Sequence, residues 1–281
     1  RYYDYQITAT YKPSKKQKLR LIGFGSNDKL RIIFDDPQAD PKVRGALSAG
    51  LAFYDLIAAH ELRISPTLRQ KVSAFVAWEE FNFQLGPELF FKFNNVRTEL
   101  LGEWSWDVLD NLELRAGLDL RMIYFDIKLD VPLAPKEGDN DLPVSALKTL
   151  QRETGGWFGQ NGAYVDLKYE PTEGLILMPG VRLDGYTLGK DAVTVDPRFS
   201  MRYQLLPITA LKAGVGLYQQ PPDPDETDEV FGNPNLSPKR SVHLSAGIEQ
   251  EVSDIFDLDV TGFYKVLDRV VVRNPEYRGE E

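Results

Sequence analysis

Apolar and polar residues alternate one by one through long stretches of this chain, and this period of two restricts its fold more than any other feature. In the stretch 242–249 the apolar positions are Val242, Leu244, Ala246 and Ile248, and the intervening positions are His243, Ser245, Gly247 and Glu249. Successive side chains of a β-strand point to opposite sides, so such a stretch is a strand between an apolar and a polar environment. A unit of strand, turn and strand of this kind recurs about six times, which predicts about twelve antiparallel strands.

The predicted connections alternate between short turns, such as 13–16 and 171–174, and long loops. We expect the loops at 27–45, 132–155 and 219–239 to be about twenty residues long or more. One rim would then carry short turns and the other long loops, which is typical of an outer-membrane β-barrel. A short helix is expected at 144–152 inside the second of these loops.

Five aromatic residues stand in the apolar register shortly before a short turn. They are Tyr11, Trp104, Trp106, Tyr169 and Tyr203. Because an aromatic ring with a polar group favours the level of the lipid headgroups, we interpret them as an aromatic girdle at one membrane interface.

The opposite register carries charged residues in the middle of long strands, among them Arg115, Asp119 and Arg182. Such side chains need water or partners, which a packed soluble core would not supply. No run approaches the roughly 18 apolar residues of a membrane helix, but membrane strands escape that test. The sequence therefore predicts an all-β fold, the wall of an antiparallel up-and-down transmembrane β-barrel.

Composition excludes several classes of function. The chain has no Cys and a formal net charge of −9, which argues against thiolate metal sites and against nucleic acid as a partner. His60 and His243 are the two histidines, far apart in sequence, so we expect neither a metal site nor a cofactor. No Gly-x-Ser-x-Gly motif is present, and we expect no enzymatic activity.

The stretch 219–229 is rich in carboxylates and prolines. A stiff, solvated surface loop is the simpler interpretation, and contact with a cation or ligand is the alternative; the same holds for 34–37 and 137–141. If these loops share one mouth, their carboxylates favour cationic ligands, or divalent ions that bridge to anionic lipopolysaccharide.

One loop motif leads directly into the strand described first. It consists of Gly232, Asn233, Pro234, Asn235, Leu236 and Pro238. This motif, followed by a strand that ends in Gly247-Ile248-Glu249, resembles the barrel of TonB-dependent outer-membrane receptors. The paired stretches 196–203 and 211–218 are similar to that family as well, so the resemblance is specific over about 195–265 and rests on architecture upstream.

The resemblance implies a location in the outer membrane and uptake of a scarce solute, such as a siderophore or another large nutrient. It implies about 22 strands around an N-terminal plug, with a short segment ahead of the plug that contacts the TonB complex. Because about twelve strands and no plug-like stretch are visible, residues 1–281 are expected to be part of one barrel domain. The plug and the C-terminal strands would lie outside it.

The expected ligand contacts stand where a strand emerges into the acidic loop. They are Tyr218, Gln219, Gln220 and Asp223, with Phe34 as a further candidate. The remaining predicted partners are the lipid bilayer and lipopolysaccharide.

Two other functions fit the same pattern. A passive outer-membrane channel or porin would share every barrel feature and lack the plug. A soluble all-β domain that binds carbohydrate or protein would bury its apolar faces against a second sheet. At 54–62 two sets of apolar residues compete for the outward side, so the register there stays open.

Overall fold

The protein is described here from a computed structural model that covers residues 1–34, 40–42, 44–132, 144–146, 149–187, 192–224, 226–227 and 232–272. Twelve strands make up nearly all of it. They are β1 (Tyr2–Ser14), β2 (Gln17–Phe34), β3 (Gly45–Arg63), β4 (Leu68–Leu85), β5 (Leu89–Leu109), β6 (Leu112–Pro132), β7 (Thr149–Thr172), β8 (Leu175–Tyr186), β9 (Ala192–Leu206), β10 (Thr209–Gln220), β11 (Lys239–Ser253) and β12 (Phe256–Asp268). Their order in the sheet is the order of the sequence, which confirms the predicted up-and-down topology.

The described residues divide into two compact units. The first consists of Arg1–Leu62, Val72–Leu100 and Arg121–Phe158. The second consists of Arg63–Lys71, Leu101–Leu120 and Gly159–Glu281, of which residues 188–191, 225, 228–231 and 273–281 lie outside the described part. None of the described helical segments is long and apolar enough to cross a membrane.

Antiparallel pairing fixes which side chains share a side of the sheet. In the second unit Val215 lies opposite Leu244 and Phe199, and Leu211 lies opposite Ile248 and Tyr203. Partners in an antiparallel pair point to the same side, so these apolar positions form one surface, which we call the apolar face. The intervening positions, such as Ser200, Gly214 and Ser245, form the polar face.

The register that the sequence left open at 54–62 is defined in the first unit. Leu21 of β2 pairs with Ala58 of β3, and Gly25 pairs with Tyr54. Tyr54, Leu56, Ala58, His60 and Leu62 therefore share the apolar face with Leu19 and Leu21. The competing set, which includes Phe53 and Ile57, lies on the polar face.

The apolar face is not covered by other parts of the described chain. In the first unit Leu21 and Leu56 are 49% and 50% exposed, and in the second unit Val215 and Leu244 are 44% and 45% exposed. A second sheet packed on these residues would bury them. The alternative of a soluble sandwich therefore does not fit the described residues.

The connections differ from the prediction in length. One rim carries the expected short turns, but on the other rim β4 ends at Leu85 and β5 begins at Leu89, where the connection is also short. The strand β2 continues to Phe34, and β7 begins at Thr149, so the first two long loops are shorter than predicted. These strands extend because their ends find partners: Lys29 pairs with Gly50, and Phe34 pairs with Gly45. The third connection, between Gln220 and Lys239, keeps nearly its predicted length.

The predicted helix at 144–152 is wrong beyond one short 3₁₀ turn, Val144–Ala146. From Thr149 onward the chain is the strand β7. Cross-strand contacts explain the difference, because Gln151 donates a hydrogen bond to Asp130 at 2.6 Å and Lys128 forms an ion pair with Glu153. Such tertiary partners outweigh weak local helix propensity.

Candidate functional site

Glycines on the polar face of the second unit make room for large side chains of neighbouring strands. The Tyr164 ring occupies the space above Gly117, where a Cβ would overlap it. The Arg182 guanidinium likewise occupies the space above Gly162. Close packing over glycine lets long polar side chains lie across the strands.

The charged side chains of this face are paired with one another. Arg182 donates to both carboxylate oxygens of Asp184 at 2.6 and 2.7 Å and to Asp119 at 3.2 Å. Asp184 is only 4% exposed, so its charge depends on Arg182. Two-point pairing of this kind is the strongest form of an arginine–carboxylate contact.

A second cluster lies on the same face. Arg198 donates to Asp166 at 2.6–3.0 Å, and its guanidinium lies 5.7 Å from the centre of the Tyr164 ring. The Tyr164 hydroxyl donates to Glu103 at 3.0 Å. Tyr164 therefore joins a carboxylate on one side to a cation on the other.

A cavity of about 390 Å³ opens on the polar face of the second unit. Its basic side chains are Arg115, Lys168, Arg198 and Lys265, and its aromatic side chains include Tyr218, His243 and Phe263. The Tyr218 and His243 rings lie 4.6 Å apart. Tyr218 also folds over Gly216, where a Cβ would lie 2.7 Å from the ring. Aromatic walls with basic side chains suit a planar or anionic group.

The predicted ligand contacts on β10 differ in their exposure and in whether other residues of the protein already bind them. Tyr218 is 43% exposed, and Gln220 is exposed as well. Gln219, by contrast, is held by Asp196, which accepts hydrogen bonds from its backbone N at 3.2 Å and from Nε2 at 2.9 Å. Tyr218 and Gln220 are therefore available to a ligand, whereas Gln219 fixes the end of its own strand.

The Asp223 carboxylate is also bound by another residue of the protein. Lys239, the first residue of β11, forms ion pairs with Asp223 at 2.9 Å and with Glu226 at 2.7 Å. The two ends of the acidic loop are thereby joined. Three further carboxylates of that loop, Asp225, Asp228 and Glu229, lie outside the described residues. The backbone of Phe34 ends β2 opposite Gly45, and its side chain lies outside the described part.

The loop motif at 232–238 forms a turn ahead of β11. The Asn233 side chain accepts a hydrogen bond from the backbone N of Asn235 at 2.9 Å, and the Asn233 backbone N donates to the Glu226 carbonyl at 2.7 Å. Asn side chains favour such turns because they bond to the backbone two residues on. Gly232, Pro234 and Leu236 belong to the same turn, and Pro238 is buried at its end.

The predicted girdle residues lie where their register placed them. Tyr11 pairs with Leu19 in the first unit, and Tyr203 pairs with Leu211 in the second. Tyr11, Trp106, Tyr169 and Tyr203 are exposed on the apolar face. Trp104 instead folds over Gly102, where a Cβ would lie 2.8 Å from its ring. Their contact with lipid headgroups stays a prediction.

Sequence reasoning missed a contact between two loops of the first unit. The Asp40 carboxylate accepts hydrogen bonds from the Ser145 backbone N at 2.8 Å and from the Ser145 hydroxyl at 2.9 Å. The Lys42 backbone N donates to it at 2.9 Å. These bonds favour the charged carboxylate and hold the pKa of Asp40 below its ordinary value. The residues are 105 positions apart, and no local pattern in the sequence links them.

Within the described residues, no group of three His, Asp or Glu side chains is arranged to hold a metal ion. The face offers ion pairs and aromatic rings rather than a metal centre.

A single sheet with an exposed apolar face and a charged polar face defines an outer-membrane barrel wall. The family model for the TonB-dependent receptor-like β-barrel matches residues 73–280. The chain therefore belongs to the TonB-dependent receptor family, which confirms the predicted resemblance. Members of this family are transporters in the Gram-negative outer membrane rather than enzymes, so the predicted localisation and the absence of enzymatic activity are confirmed.

Three solved structures of similar fold are longer than this chain. The copper transporter OprC has a TM-score of 0.71 and 13% identity, over 95% of this chain and 45% of its own. The alcaligin receptor FauA from Bordetella pertussis has a TM-score of 0.72 and 11% identity, over 98% of this chain and 45% of its own. The siderophore receptor PirA from Acinetobacter baumannii has a TM-score of 0.66 and 17% identity, over 94% of this chain and 42% of its own. The chain thus spans less than half of each receptor. No curated protein sequence matches it significantly.

Proposed function

We propose that this chain forms part of the barrel of a receptor that imports a scarce solute, such as a siderophore or another large nutrient, in a TonB-dependent manner. The family match over 73–280 carries the proposal. The similar solved structures include a copper transporter, a siderophore receptor and an alcaligin receptor, and we propose metal complexes as the first solutes to test.

The paired charges of the polar face support an active receptor over an open channel. Arg182, Asp184 and Asp119 bind one another on this face, and Tyr164 lies between Glu103 and Arg198. A wall whose charged side chains are paired with one another suits a lumen filled by protein. We propose that the plug and the remaining strands lie outside residues 1–281, and the coverage of 42–45% of the solved receptors supports this.

Among the candidate contacts, we propose that Tyr218 and Gln220 touch the solute. Both are exposed at the end of β10, whereas Gln219 and Asp223 are bound to Asp196 and Lys239. Phe34 stays a further candidate at the end of β2.

Uptake by the complete receptor tests the proposal. The receptor would be produced in a Gram-negative host that lacks its own receptors for labelled ferric siderophores and copper complexes. We expect accumulation of one of these solutes that requires TonB and an energised inner membrane. Accumulation that continues without TonB would instead identify a passive channel.

A matched pair of variants then tests the contacts. Tyr218→Ala with Gln220→Ala should weaken solute binding at least tenfold with the receptor still folded. Lys212→Ala, on the same strand and face but outside the cavity and paired with Asp259 at 2.6 Å, serves as the control and should bind normally. Equal binding by both variants would remove the role proposed for the end of β10.

A further inference from the structure

Three cations lie on the apolar face at one end of the first unit. Arg1 and Lys29 exchange backbone hydrogen bonds at 2.8 and 2.9 Å, so their side chains share a side of the sheet. Lys29 and Arg31 follow Leu21 at even spacing along β2, which places all three on the face of Leu21. All three side chains are exposed.

An aromatic cluster with polar groups adjoins these cations on the same face. Tyr54 stacks on Tyr5 at 6.1 Å and on Trp78 at 5.3 Å between ring centres. The Tyr54 and Tyr3 hydroxyls lie 3.0 Å apart, and Asn27 donates to Tyr54 at 3.5 Å. Lys29 lies two residues after Asn27 on the same face of β2, which places this cation next to the cluster.

The spacing along β1 places this cluster at the far side of a membrane from Tyr11. Tyr11 lies ten positions after Arg1, which is about 33 Å along a strand. At the tilt of about 35–45° usual for membrane strands, this becomes roughly 25 Å across the bilayer, the height of the apolar band. If Tyr11 marks one interface, Arg1 and Lys29 stand at the headgroups of the other.

These cations lack carboxylate partners within 4 Å in the described part of the chain. Elsewhere on the apolar face of this unit, Lys128 is paired with Glu153. Glu80 lies two residues after Trp78 on β4 and accepts a hydrogen bond from Asn82. The neighbouring β3 offers Gly50 and Ser48 opposite Lys29 and Arg31, and these small residues leave space beside the two cations.

We propose that this surface binds the phosphate-bearing headgroup of lipopolysaccharide in the outer leaflet. Arg1, Lys29 and Arg31 bind the phosphates, and the Tyr3 and Tyr54 hydroxyls supply hydrogen bonds at the sugar level. Uncompensated cations on a face that contacts lipid match an anionic headgroup in charge and in height. The inference rests on the outer-membrane location and is independent of the transported solute.

The test uses the complete receptor, purified in detergent from outer membranes, with the amount of co-purified lipopolysaccharide measured. We expect Lys29→Gln with Arg31→Gln to reduce this amount roughly tenfold, because each cation near an anionic membrane surface contributes substantially to binding. Lys29→Arg with Arg31→Lys keeps the charges and should retain the lipid. Lys128→Gln is the matched control on the same face and should also retain it.

Added ligands separate the lipid from a free anion. Purified lipopolysaccharide should raise the melting temperature of the delipidated receptor, but not that of the double Gln variant. The same rise with inorganic phosphate alone would overturn the proposal, as would equal lipid retention by the double Gln variant. Equal loss by Lys128→Gln would also overturn it, since net charge rather than this surface would then be responsible. Solute uptake is measured in parallel, so a failure here is distinguishable from a failure of the proposed function.

Discussion

The ring of Tyr164 lies against the backbone of Gly117 on the adjacent strand, in the space where any other residue would carry its Cβ. The contact places the Tyr164 hydroxyl 3.0 Å from Glu103 and its ring beneath Arg198. A glycine on one strand thus determines how a tyrosine on the next connects two charged groups.

Gly117→Ala should destabilise the barrel because the added methyl group displaces the Tyr164 ring. Overpacking of this kind costs about 1–3 kcal/mol. Urea unfolding of the receptor in lipid vesicles would measure the loss in the free energy of unfolding. Gly185→Ala is the control, since a Cβ there would meet no atom nearer than 3.9 Å. Equal effects of the two substitutions would contradict the explanation.

Arg182→Ala should lower the free energy of unfolding by more than the loss of an exposed ion pair does. It leaves Asp184, which is 4% exposed, without its cation, and breaking a buried pair costs about 3–5 kcal/mol. Lys168→Ala removes an ion pair whose partners are 36% and 45% exposed, and such pairs contribute about 0–1 kcal/mol. The same unfolding measurement compares them, and a small loss for Arg182→Ala would show that Asp184 finds water or another partner.

The strands and their two faces were predictable because the period of two is local. The register of 54–62 was not, since Leu56 and Ile57 are both apolar, and it is fixed by pairing of Leu56 with Gly23 and of Ile57 with Ile22. The extent of β2 was missed for a related reason. Asn27, Asp28 and Lys29 have the composition of a loop, yet they pair with β3.

The candidate site was predictable in position but not in detail. Alternation placed Arg182 and Asp119 on the polar face, but their contact joins residues 63 positions apart and depends on the stagger between strands. In the same way, nothing local shows that Gln219 is bound by Asp196 while Tyr218 and Gln220 remain exposed.

The contact between Asp40 and Ser145 should depend on pH. Hydrogen bonds from Ser145 and Lys42 lower the pKa of Asp40, so the contact stabilises the two loops above the ordinary pKa of a carboxyl group. It is lost as the pH falls through the lowered pKa. The protection factor of the Ser145 amide, which is its hydrogen exchange corrected for the intrinsic effect of pH, should therefore be high at neutral pH and fall in acid.

Two variants identify the group responsible. Asp40→Ala should give a low protection factor for the Ser145 amide at every pH, because the acceptor is gone. Ser145→Ala keeps the backbone N that donates at 2.8 Å and loses only the hydroxyl, so part of the protection should remain. Protection that is independent of pH in the unmodified protein would assign the slow exchange to another cause.

Neighbouring residues on β11 test the division of the sheet into two faces. Leu244 is 45% exposed on the apolar face, and Ser245 follows it on the polar face beside the cavity. Leu244→Arg should lower the free energy of unfolding in lipid vesicles by about 2–4 kcal/mol, because a charge would enter the hydrocarbon. Ser245→Arg places the same side chain one residue further on, where the cavity and its water can accept it, and should cost much less. Because the two variants share chemistry, strand and depth in the membrane, a similar loss for both would mean that hydrocarbon does not contact the apolar face.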